Sequence, residues 1–169
     1  MITIFVLEHP ALTPVALLLL AVICAGAGYL ALRARRFGPR ILTALTVLSL
    51  LPAVALPLSP TSPRTGHTAC TVEFSVPTLT SIELVANVAL FIPPVFFAAL
   101  ATRRPLFVLA AGSGLSAAIE TVQALVPALG RICDTNDWTM NTLGAIVAVL
   151  LAVGTIAIAN RRIARHSRI

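Results

Sequence analysis

Long uncharged runs are the feature that most constrains how this chain can fold. Several stretches extend for about 17 to 22 residues without a charge, which at ~1.5 Å of rise per helical residue matches the ~30 Å hydrocarbon core of a bilayer. Hydrophobic residues make up 58% of the 169 residues and charged residues only 11%. That is too little polar surface to cover a soluble globule of this size, so we expect a membrane protein.

The apolar runs predict five transmembrane helices in one domain, residues 1–169, and therefore an all-α polytopic bundle. The predicted helices cover residues 11–32, 41–58, 82–101, 105–126 and 138–159. The longest predicted loop, residues 59–81, is rich in Ser, Thr and Pro and lacks a helical apolar period. We find no internal repeat and no linker long enough to separate two domains.

The distribution of arginine predicts the orientation of the bundle. All twelve basic residues are arginines, and they lie at the ends of the apolar runs, where arginine is mainly a topology signal with a weak attraction to anionic lipid. We therefore expect membrane lipids as partners and no nucleic acid. An outside N-terminus and a cytoplasmic C-terminus leave only Arg64 and Arg131 on the outer side. The ten arginines on the cytoplasmic side are then Arg33, Arg35, Arg36, Arg40, Arg103, Arg104, Arg161, Arg162, Arg165 and Arg168.

Two acidic residues lie inside predicted helices, where an ionisable group costs roughly 2.5 to 3.5 kcal/mol at mid-depth on insertion scales. Glu83 shares a helix face with Asn87, four residues later. On the fourth predicted helix, Glu120 belongs to a polar stripe at helical spacing. The members of this stripe are Ser113, Ser116, Glu120 and Gln123. Such a stripe has to face protein or water rather than lipid.

The connection between the last two predicted helices is the densest charged segment of the outer side. Asp134 or Asn136 can cap the fifth helix, and Asp137 suits the positive end of its dipole. Asp137, Asn141 and Gly144 then share one face, with Gly144 allowing close helix approach. Three helices therefore direct polar groups to one region near the outer surface.

The polar positions of these three helices resemble a known family. The matching spacings are Asn87-x3-Phe91-x-Pro93, Ser116-x3-Glu120-x2-Gln123-x3-Pro127 and Gly130-Arg131-x2-Asp134-x2-Asp137-x3-Asn141-x2-Gly144. Over about residues 83–144 the chain resembles the VanZ-like family of bacterial membrane proteins. One position departs from the family pattern, since Val95 stands where glycine is usual. The resemblance implies a location in the bacterial plasma membrane and a link to glycopeptide resistance of the teicoplanin type, and it implies no particular reaction.

The residues leave three functional interpretations open. In the first, an outer-leaflet site binds a lipid-linked cell-wall precursor or a glycopeptide, and Arg131 grips its phosphate or carboxylate. In the second, an intramembrane enzyme uses Glu120 as general acid or base, helped by Asp134 and Asp137 or by a divalent cation that they bind. In the third, the polar groups only hold the helices together by hydrogen bonds, and Arg131 neutralises Glu120 or an aspartate. The candidate binding residues are Asn87, Glu120, Gln123, Arg131, Asp134, Asp137 and Asn141.

No Ser-His-Asp arrangement, HExxH motif or P-loop accompanies these residues. We therefore predict no resident metal and no cofactor, and leave open whether the protein is an enzyme.

Two of the three cysteines fall in the predicted outer loops. Cys70 lies in the longest loop and Cys133 in the charged connection, whereas Cys24 lies within the first predicted helix. Because the outer side of a bacterial membrane is oxidising, the first two predict a disulfide that ties the long loop to the polar cluster. The alternative is a pair of free outer thiols.

Overall fold

A computed structural model describes residues 12–34, 36–61, 70–74 and 81–166, with side chains as far as residue 161. Within this part of the chain the structure contains five long α-helices and no strand. They are α1 (Leu12–Arg33), α2 (Gly38–Ala55), α3 (Ile82–Thr102), α4 (Pro105–Leu125) and α5 (Thr135–His166). A short 3₁₀ helix, Pro127–Leu129, follows α4. Arg35, Arg64 and Arg168 lie outside the described residues.

All five helices are long and apolar enough to cross a membrane, which confirms the predicted fold class. The span in α5 covers Thr135–Arg161. Successive helices run in opposite directions, so the molecule has two chemically different ends. We call the end formed by residues 56–61, 70–74 and 126–134 the loop end. The opposite end, formed by the α1–α2 and α3–α4 turns and Arg161, is the arginine end.

Three helix boundaries differ from the prediction for identifiable reasons. The predicted second helix covered residues 41–58, but α2 begins at Gly38 because Pro39 suits the first turn of a helix, where its missing N–H is not needed. Helix α2 ends at Ala55, two residues before Pro57, which has no N–H to continue the helix. Helix α5 begins three residues earlier than predicted because Asp134 caps it.

Helix α3 forms the centre of the bundle. It packs against α5, α2 and α1, and also contacts α4, which lies mainly against α5. The largest fully buried side chains include Phe91, Phe96 and Leu100, all on α3. Helices α1 and α2 leave many leucines and valines exposed, as expected of helices that face lipid.

Small residues allow α5 to lie close to its neighbours. Ala145, Ala148 and Ala152 are completely buried, and a Cβ at Gly144 would overlap the carbonyl oxygen of Val88 on α3. Close backbone approach of this kind is a common way for membrane helices to associate, because van der Waals packing replaces the hydrophobic effect there. The α3–α5 contact therefore fixes how the polar residues of these two helices face one another.

Candidate functional site

The polar stripe of α4 is buried against α5 and the loop end. Ser116 is completely buried, and Glu120 and Gln123 are only 7% and 6% exposed. Residues at i, i+4 and i+7 follow one helix face, so the stripe leads from mid-helix to the loop end. Val95 on α3, the position that departs from the family pattern, packs against α4, where Gly112 leaves room for its side chain.

The Glu120 carboxylate is fixed by a backbone amide of the loop end. The Asp134 N–H donates to Glu120 Oε2 at 2.9 Å. Within the described part of the chain, Oε1 receives no hydrogen bond. Glu120 therefore has one oxygen held in place and one available to a ligand or to water.

Two aspartates at the start of α5 have different partners. Asp134 Oδ1 accepts the N–H of Asn136 at 2.8 Å, which makes Asp134 the N-cap of α5. Asp137 accepts a hydrogen bond from the side-chain amide of Asn87 on α3. Both aspartates are close enough to Glu120 to act on its charge. The acidic side chains are therefore contributed by α4, the connection after it and α5.

Two buried amide oxygens near this cluster have no partner in the described structure. Asn141 donates through Nδ2 to Ser116 Oγ at 2.9 Å, and Gln123 donates through Nε2 to the Pro57 carbonyl at 2.9 Å. Asn141 Oδ1 and Gln123 Oε1 are buried and accept no hydrogen bond there. A buried acceptor without a donor costs about 1–3 kcal/mol, so both atoms are suited to accept from water or from a ligand.

Arg131 binds the end of α2 rather than a carboxylate. Its Nη2 donates to the Leu56 carbonyl and its Nε to the Ser59 carbonyl, both at 3.3 Å. These carbonyls follow the last turn of α2, where acceptors have no partner within the helix. Arg131 is exposed, and its Nη1 makes no hydrogen bond to the described residues. One edge of the guanidinium is therefore occupied and the other is open.

A disulfide joins the two cysteines that the sequence analysis pairs. Cys70 and Cys133 are bridged with their Cα atoms 4.6 Å apart. The neighbouring backbone pairs as well, since Thr71 N–H donates to the Cys133 carbonyl at 2.9 Å and Thr135 N–H donates to the Thr71 carbonyl at 3.1 Å. Residues 70–74 are therefore held beside Asp134, whose amide binds Glu120.

Some residues that build the site have no signal in the sequence. The Thr135 hydroxyl donates to the Glu73 carbonyl at 2.9 Å and accepts the Glu73 N–H at 3.1 Å, which fixes residues 70–74 on α5. Thr61 donates through its hydroxyl to the Gly130 carbonyl at 2.9 Å. Both contacts join positions more than 60 residues apart, so no local pattern could have indicated them.

The structure thus brings together Asn87 with Asp137, Glu120 with Asp134, and Asn141 with the α4 stripe. Gln123 and Arg131 instead bind carbonyls at the end of α2. In the described ranges, no group of three or more His, Cys, Asp or Glu residues is arranged to hold a metal ion.

A comparison with known families supports the resemblance that the spacing of these polar residues indicates. The model of the VanZ/LLP1 family matches residues 41–158, more than two thirds of the chain, and this range contains the signature at 83–144. Neither the curated proteins nor the solved structures include a match. The match covers α3, α4, the loop-end connection and α5 as far as Ile158, and hence the whole polar cluster. This chain is therefore a member of the VanZ/LLP1 family of multi-pass membrane proteins.

Proposed function

We propose that the loop end binds the polar head of a lipid-linked cell-wall precursor or a glycopeptide, and that the protein acts in glycopeptide resistance of the teicoplanin type. The protein would then work in the bacterial plasma membrane without the need for turnover. The proposal rests mainly on the buried acceptors Gln123 Oε1 and Asn141 Oδ1, which have no partner in the described structure.

The chemistry of the site suits a ligand rich in hydrogen-bond donors. Glu120 Oε1 and the two amide oxygens accept hydrogen bonds, and sugar and peptide heads carry many hydroxyl and amide donors. Arg131 adds an open guanidinium edge at the rim, which suits a phosphate or carboxylate. A lipid-linked glycan precursor offers both kinds of group in one molecule.

The second candidate is an intramembrane enzyme, and one contact favours it. Glu120 is held by the Asp134 amide through Oε2 alone. That arrangement orients the carboxyl group and leaves Oε1 free to take or give a proton. Binding and catalysis therefore differ in whether a product forms.

We further propose that the loop end faces the outside of the cell. The Cys70–Cys133 disulfide belongs on the oxidising side of a membrane, and the arginine end belongs in the cytoplasm by the positive-inside rule. This orientation lets the site meet extracellular antibiotics and exported wall precursors.

The proposal is tested by deletion and complementation under a panel of cell-wall antibiotics. Glu120→Gln keeps the acceptor for the Asp134 amide but removes the charge, and Asn141→Leu removes the amide. Both are expected to abolish resistance at normal membrane abundance, because an interhelical hydrogen bond contributes only ~0.6 kcal/mol to stability on average. Thr121→Val is the matched control, since the exposed Thr121 hydroxyl binds only the Ala117 carbonyl of its own helix.

Incubating the purified protein with lipid-linked precursor or teicoplanin then distinguishes a binding protein from an enzyme. A binding protein is supported if the wild type binds the ligand saturably, forms no product, and loses this binding in Asn141→Leu. A product that Glu120→Gln abolishes supports the enzyme instead. Full resistance in both variants at matched abundance would mean that the polar cluster only holds the helices together.

A further inference from the structure

The arginine end carries positive charge that the described residues do not neutralise. Five of the six acidic residues lie at or near the loop end, and the sixth, Glu8, precedes α1 and lies outside the described residues. Within the described structure, the side chains of Arg40 and Arg103 make no hydrogen bond and no ion pair. A separate anion is the natural partner for such groups.

A cavity beside Arg103 gives this charge a definite location. The cavity has a volume of about 210 Å³ and lies between the α1–α2 turn and the end of α3. Gly38, Pro39, Leu42, Leu100 and Arg103 line it. The residues that line it are therefore apolar except for Arg103.

An apolar groove on α2 adjoins this cavity. The groove is shallow and open, and only α2 lines it. Arg40 lies at one end, and Thr43, Ala44, Val47 and Leu51 follow along one face of the helix. Pro39 lines both the groove and the cavity, so the two lie next to each other. A cavity lined by an arginine beside an exposed apolar helix face matches a molecule with an anionic head and a hydrocarbon chain.

We infer that the arginine end holds an anionic phospholipid, with its phosphate between Arg103 and Arg40 and an acyl chain along the groove of α2. A free phosphate would satisfy the two arginines equally well but would leave the groove empty. The groove is therefore the reason to choose a lipid. This site is at the opposite end of the bundle from the proposed ligand site and does not depend on it.

Native mass spectrometry of the purified protein, titrated with phosphatidylglycerol or phosphatidylcholine, tests the inference. The wild type is expected to retain phosphatidylglycerol selectively. Arg103→Asn and Arg40→Gln are each expected to lower that retention about fivefold, the effect of one arginine near an anionic surface. Asn is chosen because Arg103 has φ 57°, a left-handed conformation that Asn tolerates.

Three variants complete the experiment. Arg33→Gln is the matched control, because it removes the same charge from the same end while Arg33 is engaged with Tyr29. Arg103→Lys keeps the charge and is expected to retain most binding. Ala44→Trp fills the groove and is expected to lower lipid retention with every arginine in place.

The outcomes separate the possibilities. The site is supported if phosphatidylglycerol retention falls in Arg103→Asn, Arg40→Gln and Ala44→Trp but stays at the wild-type level in Arg33→Gln. Equal losses in all three arginine variants would overturn it in favour of diffuse charge attraction. Inorganic phosphate that stabilises the protein as much as phosphatidylglycerol, or full retention in Ala44→Trp, would overturn the choice of a lipid. If Arg103→Asn does not fold, Arg40→Gln and Ala44→Trp decide alone.

Discussion

Individual glycines differ sharply in what they do for this bundle. Gly144 faces the backbone of Val88, where no Cβ fits, whereas Gly154 has no neighbouring atom within 4 Å. Both lie on α5, so a comparison of the two separates interhelical packing from helix propensity. The Gly144 contact also sets the spacing between Asn87 on α3 and Asp137 on α5, whose side chains are hydrogen-bonded.

Gly144→Ala is therefore expected to destabilise the protein by about 1–3 kcal/mol, because the added methyl group would force α3 and α5 apart. Gly154→Ala should be neutral or slightly stabilising, since alanine is the better helix former. Thermal unfolding of the purified variants in one detergent measures both. Equal unfolding temperatures for the two variants would contradict the close α3–α5 approach.

At the scale of elements, the end of α2 is held by side chains from distant parts of the chain. Arg131 and Gln123 donate to carbonyls that follow the helix, at Leu56, Ser59 and Pro57. These contacts join α2 to α4 and to the loop-end connection. A change of Arg131 would therefore affect the stability of the loop end as well as any ligand, which is why Glu120 and Asn141 are better probes of function.

The disulfide is the covalent link between residues 70–74 and the start of α5. Replacing Cys70 and Cys133 together by serine is expected to lower the stability by about 2–4 kcal/mol, the usual effect of opening a loop of this kind. The bridge spans a sequence separation of 63 residues. Thermal unfolding with and without dithiothreitol measures the effect.

Reductant should lower the unfolding temperature of the wild type toward that of the double variant and leave the double variant unchanged. The buried Cys24 provides no alternative partner for either thiol. A double variant that unfolds at the temperature of the oxidised wild type would show that residues 70–74 are held by their backbone contacts alone.

At the scale of the whole molecule, the two ends carry opposite charge. Five of the six acidic residues and the disulfide lie at or near the loop end, and the described arginines other than Arg131 lie at the opposite end. This separation is the physical basis of the proposed orientation, because the positive-inside rule counts arginine and lysine in the short connections next to membrane helices.

Cysteine labelling in intact cells tests the orientation. Pro60→Cys at the loop end is expected to react with a membrane-impermeant maleimide added outside, and Phe37→Cys in the α1–α2 turn only after the cells are opened. Both positions are exposed. The native cysteines give little background, since two are bridged and Cys24 is buried. Reaction of Phe37→Cys in intact cells would reverse the orientation.

Local patterns are sufficient to predict the five helices, the polar faces and the resemblance of the polar spacings to one family. An apolar run long enough to span a bilayer has to satisfy its backbone within itself, so its helical state does not depend on its neighbours. Residues three and four apart share a helix face in any context, which is why the spacing of Ser116, Glu120 and Gln123 is enough to group them. The early start of α5 could not be predicted from such patterns, because it depends on whether Asp134 or Asn136 caps the helix.

Only the tertiary structure decided how the polar groups are paired. Arg131 was expected to meet an acidic group or a ligand, yet it donates to carbonyls at the end of α2, and Glu120 accepts from the backbone of Asp134. A backbone N–H or C=O is present at almost every residue and leaves no mark in the sequence. Which of them lies opposite a given side chain is set by helix packing over long sequence separations, so the sequence by itself determined the helices and their faces, and the packed bundle determined the partners.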